Sequence, residues 1–258
     1  MTGALLRLAA GLGLAASLAS AASAGQPPEI RTSAANRVPV CVTPDRLMEM
    51  VTRRNPALEP RFRTIATAYK THGEALGIRW DYAFFQMLLE TNYLSYRRGN
   101  GDWGDVRPRQ NNFAGIGATG GGVPGDSFPD VSTGVLAQMQ HLLAYSGEHV
   151  AEPVANRTRE KQDDIIEESR RLKRPVRFGD LTRRWAADKA YARSIESVAD
   201  AYRSTFCKSP ERPVIAATSA LPQRRTSPPS AALADARVAL NAPAPAPAVR
   251  PAPAPACQ

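Results

Sequence analysis

A mainly α-helical fold is predicted for this sequence, on three observations. Apolar residues recur at helical spacing in one stretch after another. One of these, WDYAFFQMLLETNYLSY from Trp80 to Tyr96, is apolar on nearly every side, as expected of a central helix surrounded by others. All aromatic residues fall between Phe62 and Phe206, with Cys41 and Cys207 at the two limits, which marks out one domain over about 41–208.

Thr43-Pro44-Asp45 starts the first helix, which runs to about Thr52; a small hydroxyl before a proline suits a first turn. The stretch 60–76 is the second helix, ended by Gly77. The third covers 80–96. A loop rich in Gly and Asn follows from Arg97 to Pro129. The fourth helix runs from about Ser132 to Tyr145, with Val135, Met139, Leu142 and Leu143 as its apolar stripe. The fifth, about 157–172, interleaves acids and bases on a solvated face. The last, 189–206, turns Tyr191, Ile195, Val198 and Tyr202 to the core.

Outside the domain, residues 1–24 read as a secretory signal. Arg7 precedes an apolar run, and Ala22-Ser23-Ala24 offers a small-x-small cleavage site. The run is too short to anchor the chain, so an exported protein without a membrane span after cleavage is expected, periplasmic or secreted. Residues 25–40 read as a polar lead-in. The stretch 209–258 has no aromatic residue and carries 11 of the 22 prolines; it cannot bury enough apolar surface to offset ordering, and a disordered tail is expected.

In an oxidising compartment Cys41 pairs naturally with Cys207, leaving Cys257 in the tail. Closing so long a loop contributes about 4–5 kcal/mol in the chain-entropy picture. No Cys/His cluster is present and His72, His141 and His149 are scattered, so neither a metal nor another cofactor is expected. The net charge of +9 falls to +8 once Arg7 is removed. A basic exported protein suits an anionic polymer. Dispersed charge without an aromatic-interleaved basic patch argues against nucleic acid.

Within the third helix, Gln86 and Glu90 lie four apart and share a face. Apolar neighbours and the C-terminal end of a helix both disfavour a charged carboxylate, which raises its pKa toward the range of a general acid. A core Glu paired with an Arg is the alternative. Downstream, Asn111 and Asn112 bring amides, Phe113 an apolar face, and Gly115 and Gly117 permit close approach of a ligand. Amides beside an aromatic ring suit an N-acetylated sugar; equally, the two Asn side chains can fix a turn.

Four strings in order, ETNYLSY, NNFAGIG, FPDVSTG and RWAADKAYARSIESVADAY, resemble the glucosaminidase family of peptidoglycan hydrolases, the mannosyl-glycoprotein endo-β-N-acetylglucosaminidase type, over about residues 60–206. The resemblance implies a lysozyme-like helical domain with a small β or loop lobe, here shortened. It implies cleavage of the β-1,4 bond after N-acetylglucosamine in the glycan strands of peptidoglycan. It assigns Glu90 as general acid, places Tyr191 beside it, and puts Asn111, Asn112, Phe113, Phe128 and Ser132 in the cleft segment and its return to a helix. Gln86 and Tyr93 are the further residues expected to meet substrate. Trp185 and Asp188 are read as packing and capping residues.

The sequence departs from that pattern in two places. Leu94 stands where the family usually has Gly, and the small lobe is cut to ATGGGVPGDS without a Glu. Glycosidases usually employ two carboxylates. Asp126 is the expected second one, with Asp130 and Asp105 behind it. A lytic transglycosylase, although the Gly-Leu-Met-Gln segment typical of those enzymes is absent, and a non-catalytic wall-binding module are the competing readings. An envelope-spanning machine is a compatible partner.

Overall fold

The computed structural model describes residues 26–207; the expected signal segment, the Pro/Ala-rich tail and Cys257 lie outside them. Six helices follow in order: α1 (Pro44–Arg54), α2 (Ile65–Leu76), α3 (Trp80–Glu90), α4 (Val131–Tyr145), α5 (Asn156–Arg171) and α6 (Tyr191–Phe206). Short 3-10 turns lie at Pro60–Phe62, Pro108–Gln110 and Phe178–Leu181. No helix among the described residues is long and apolar enough to cross a membrane.

The fold is mainly helical, as expected, and α3 is its axis. Every residue from Trp80 to Leu88 is buried, with α2, α4 and α6 packed around it. Phe84 and Phe85 meet Tyr69 of α2 and Tyr202 of α6, with ring centroids 5.2 and 5.5 Å apart. At the entry to α3 the chain turns so tightly that a Cβ on Gly73 would lie 2.3 Å from the Trp80 Cβ.

Three boundaries differ from the sequence expectation. The second helix is split, with a 3-10 turn at Pro60 and a restart only after Thr64, whose ψ of 6° is not helical. The third helix stops at Glu90, six residues early. Its end is a Schellman closure, in which the Tyr93 N–H reaches the Leu88 carbonyl (2.9 Å) and the Asn92 N–H reaches that of Leu89 (3.4 Å). Asn92, Tyr93 and Leu94 are all left-handed, which costs about 1–2 kcal/mol per non-Gly residue. Thr91 supports the turn, its hydroxyl donating to the Met87 carbonyl (2.8 Å) and accepting from the Leu94 N–H (2.9 Å).

The third difference is the lead-in, which belongs to the folded body. Ile30 is fully buried, its N–H bonds the Val176 carbonyl (2.8 Å), and its own carbonyl receives the Arg79 N–H (2.9 Å). Arg79 forms a buried bidentate pair with Asp81 and also bonds Asn36 Oδ1 (2.7 Å), tying residues 29–36 to the start of α3.

No sheet forms among the described residues, where only isolated bridges such as Arg97 with Trp103 occur. The small lobe between α3 and α4 is therefore loop alone. Its backbone is satisfied by side chains instead of a ladder, and Gly115, Gly117, Gly120, Gly121, Gly122 and Gly125 all hold positive φ. Cys41 and Cys207 form the expected disulfide, with Cα atoms 5.3 Å apart.

The loop is locked to α4 at Gly134, where a Cβ would sit 1.9 Å from the Asn111 carbonyl oxygen and 2.9 Å from the Phe113 ring. Gly134→Ala is expected to destabilise the fold by about 1–3 kcal/mol or more through overpacking. A urea midpoint equal to that of the wild type would show that the loop yields.

Candidate active site

Glu90 is the last residue of α3, which the abrupt turn ends beside a cleft instead of continuing as a longer helix. The cleft, of about 480 Å³, is bounded by Glu90, Thr91, Tyr96, Arg97 and Asp105. The residue as a whole is partly exposed, while its carboxyl is strongly desolvated. Burial pushes the Glu90 pKa from 4.5 up to about 7, and hydrogen bonding from Tyr191 and Trp185 pulls it back only in part. No Arg pairs with it among the described residues, so the ion-paired core Glu of the alternative reading is not what the fold contains.

Behind Glu90 runs a buried chain of hydrogen bonds whose direction follows from its members. The Ala83 carbonyl only accepts, so the Gln138 amide nitrogen must face it (3.0 Å). The second hydrogen of that nitrogen goes to Gln86 Oε1 (2.9 Å), which turns the Gln86 nitrogen to the Tyr191 hydroxyl oxygen (2.8 Å). Tyr191 is left with its own hydrogen, which it donates to Glu90 Oε1. At the far end Tyr69 donates to Gln138 Oε1. Burial and the Glu90 carboxylate both push the Tyr191 pKa up, so the phenol keeps that proton.

Since Oε1 is committed as an acceptor, the proton of the acid form of Glu90 sits on Oε2. That oxygen faces Gly115, where even a Cβ would stay 3.8 Å away. The arrangement holds one carboxylic acid, about half of it protonated at pH 7, with its proton on the oxygen that faces Gly115.

Tyr191→Phe removes the donor to Glu90 and leaves the Gln86 amide without its acceptor. The Glu90 pKa is expected to rise by up to about one unit, because the lost bond favoured the charged form. Stability is expected to fall by about 1–3 kcal/mol. Titration of the side-chain carboxyl by carbon-13 NMR reads the first, and a fall in pKa would overturn the assignment.

The other predicted residues have mostly structural positions. Gln86 is fully buried and acts as the link just described, not as a substrate contact. Asn112 is the staple of the glycine loop: its amide nitrogen bonds the carbonyls of Ile116 (2.8 Å) and Asp126 (3.0 Å), and its oxygen accepts from the Ile116 N–H (3.0 Å). Asn111 bonds the Phe128 carbonyl (3.0 Å) and accepts from Arg61 (2.7 Å). Phe113 lies in the core against Phe62, and Phe128 is buried in a small cluster with Ile116 and Ala137. Tyr93 turns away to a groove between α1 and α6, beside Arg54 and Phe206.

The carboxylates divide similarly. Asp126 Oδ2 accepts from the Arg157 N–H (3.1 Å), capping the start of α5. Asp130 caps α4 through Thr133 (2.7 Å), a bond that holds its pKa below the usual range. Asp105 alone of the three lines the cleft with Glu90, paired with Arg98 at 2.8 Å.

Sequence reasoning passed over Gln138 and Tyr96 and gave Trp185 a packing place alone. Trp185, read from the sequence as a packing residue, is indeed wedged by His141 and Tyr145 at 5.0 and 5.2 Å, and it also lies close enough to Glu90 to lower its pKa slightly. Gln138 looks like any polar residue on a helix until its partners are seen. Tyr96 lines the cleft with a buried hydroxyl that has no protein partner among the described residues. Asp188 does shape the entry to α6, accepting from the Ala190 N–H (2.8 Å).

No protein-family model matches the chain. No solved structure matches it. Over 145 residues the chain is 32% identical to an uncharacterized protein of Borreliella burgdorferi; the match covers 56% of this chain and 65% of that relative.

Proposed function

We propose that this protein is a peptidoglycan hydrolase of the endo-β-N-acetylglucosaminidase type, with Glu90 as its general acid and a lysozyme-like arrangement of helices about the cleft. The observation that carries the reading is the Glu90 carboxyl, held by Tyr191 at the end of a buried helix, with its pKa pushed by burial up to about 7. The four strings that resemble the glucosaminidase family support the reading. ETNYLSY supplies the acid and the turn that ends its helix, NNFAGIG brings Gly115 to the Glu90 carboxyl, FPDVSTG leads back into α4, and AADKAYA supplies the tyrosine.

Oε2–H protonates the glycosidic oxygen as the bond to the leaving sugar breaks. Tyr191 and Trp185 then stabilise the carboxylate that remains. Of the candidate second carboxylates, Asp105 shares the cleft, whereas Asp126 and Asp130 are used as helix caps, which favours Asp105 for activating water. The ion pair that engages Asp105 favours one competing reading, a lytic transglycosylase working with Glu90 alone.

Peptidoglycan digested by the protein or by its Glu90→Gln variant, reduced with borohydride and analysed by mass spectrometry, tests both. Reduced N-acetylglucosamine ends from the wild type alone are expected. Anhydromuramic ends would move the reaction to the transglycosylases, and intact strands from both proteins would leave a binding module.

A further inference from the structure

A second groove, of about 700 Å³, lies on the other side of the segment that walls the Glu90 cleft. It is lined by Trp103, Arg107, Pro108, Arg109 and Pro129, with the Glu59–Arg61 pair and Asn111 at the same groove. Arg97, Gly104 and Asp105 line Glu90's cleft while Trp103 and Arg107 line the groove, so one segment, residues 97–107, borders both. Trp103 is 40% exposed, an unusual position for so large an apolar ring. Its indole carries the Arg97 guanidinium 3.7 Å and that of Arg107 5.3 Å from the ring centroid.

The cations around this ring are under-used. Arg61 is already paired with Glu59 and Asn111. Arg97 and Arg107 bond only the carbonyls of Gly101 and Gly104, and Arg109 makes no hydrogen bond or ion pair among the described residues. Two guanidinium forks without a carboxylate thus lie over an exposed aromatic ring, and Arg109 lines the same groove without a partner among the described residues, while the groove's own carboxylate, Glu59, is taken up by Arg61.

We propose that this groove is a second subsite, which takes a pyranose of the glycan strand against Trp103 and pairs a carboxylate carried by that strand with Arg107 and Arg109. A neutral sugar would use the indole and the two prolines and leave the cations idle; a carboxylated one uses both. The proposal rests on the reading of Glu90's cleft as a glycan site. The carboxylate is that of the stem peptide or the lactyl group of a bare muramic acid.

The test measures binding by calorimetry to the full chain carrying Glu90→Gln, with three ligands: a disaccharide bearing its stem peptide, the same disaccharide stripped to the lactyl acid, and neutral chitotetraose. Trp103→Ala is expected to weaken all three by about tenfold, and Trp103→Phe to restore most of that. Arg109→Gln is expected to weaken the anionic ligands by about two- to fivefold at low salt, less at high salt, and to leave chitotetraose unchanged. Loss confined to the peptide-bearing ligand assigns the stem as the carboxylate source, loss confined to the stripped ligand assigns the lactyl acid, which is free only there, and equal loss means that the cations take whichever carboxylate the strand carries.

Both side chains are on the surface, and equal melting temperatures separate lost contacts from lost fold. If the wild type cleaves peptidoglycan while Trp103→Ala and Arg109→Gln leave binding unchanged on the Glu90→Gln chain and turnover unchanged on the chain that keeps Glu90, the subsite is refuted and the glycosidase reading stands. If the wild type neither binds nor cleaves, the glycosidase reading falls and takes the subsite with it. Binding of heparin equal to that of the muropeptide would reduce the groove to a general polyanion patch and overturn the proposal.

Discussion

Glu90→Gln is expected to abolish glycan cleavage and at the same time to stabilise the fold above pH 7. The first effect follows because an amide has no proton to release to the glycosidic oxygen; general-acid catalysis of this kind is worth about 10²–10⁴ in rate. The second follows from linkage. The folded-state pKa of Glu90, about 7, is raised above its ordinary value of 4.5, so the folded protein binds this proton more tightly than the unfolded chain does.

Glu90 therefore contributes its full stability below about pH 4.5, and that contribution is lost as pH rises through about 7. Above that, the fold carries a desolvated charge, a difference of about 3 kcal/mol. A Gln side chain still offers an oxygen to Tyr191 and removes the charge. Thermal unfolding of both proteins from pH 4 to pH 8 is expected to give curves that meet in acid and separate by several degrees in base, the variant higher. Parallel curves would mean that Glu90 is not desolvated. For the wild type, activity should fall as pH rises through about 7, when the acid loses the proton it must donate.

The second large effect is on the disulfide. Reduction of Cys41–Cys207 releases a loop spanning 166 positions and is expected to lower stability by about 5 kcal/mol in the chain-entropy picture. The native ends are also held without it, since the Cys41 carbonyl accepts from Tyr202 (2.9 Å) and Arg46 (3.1 Å). The loss should thus come from the unfolded state, with little change in the folded one. Tyr191 opens α6 and Cys207 follows its other end, about 24 Å along a helix of 16 residues. The Glu90 site is expected to remain intact in the reduced folded protein. Urea unfolding with and without reductant, on the Cys257→Ser chain so that no third thiol takes part, reads the stability; equal midpoints would contradict it.

Much of this protein was written in local sequence. The helices announce themselves by apolar spacing and by caps such as Thr43 and Gly77, because a helix is stabilised by partners three and four residues away. The central helix was legible because only a helix surrounded by others is apolar on every side. Glu90 stood out as a carboxylate in that setting, and the cysteines stood at the two ends of the aromatic-rich segment.

Tertiary structure alone decided what surrounds Glu90. The stop at Glu90 relies on left-handed Asn92, Tyr93 and Leu94, none of them a glycine, and only long-range packing overrides that preference. Asn111, Asn112 and Phe113 have the chemistry of a sugar site, yet the sheetless loop spends them on its own backbone and core, since buried carbonyls must find donors. The relay from Tyr69 through Gln138 and Gln86 to Tyr191 joins residues of four helices. Its members are ordinary in sequence because no local rule links positions 52 to 105 residues apart. Side-chain identity set which bonds were possible, and the packing of α2, α3, α4 and α6 selected those that form.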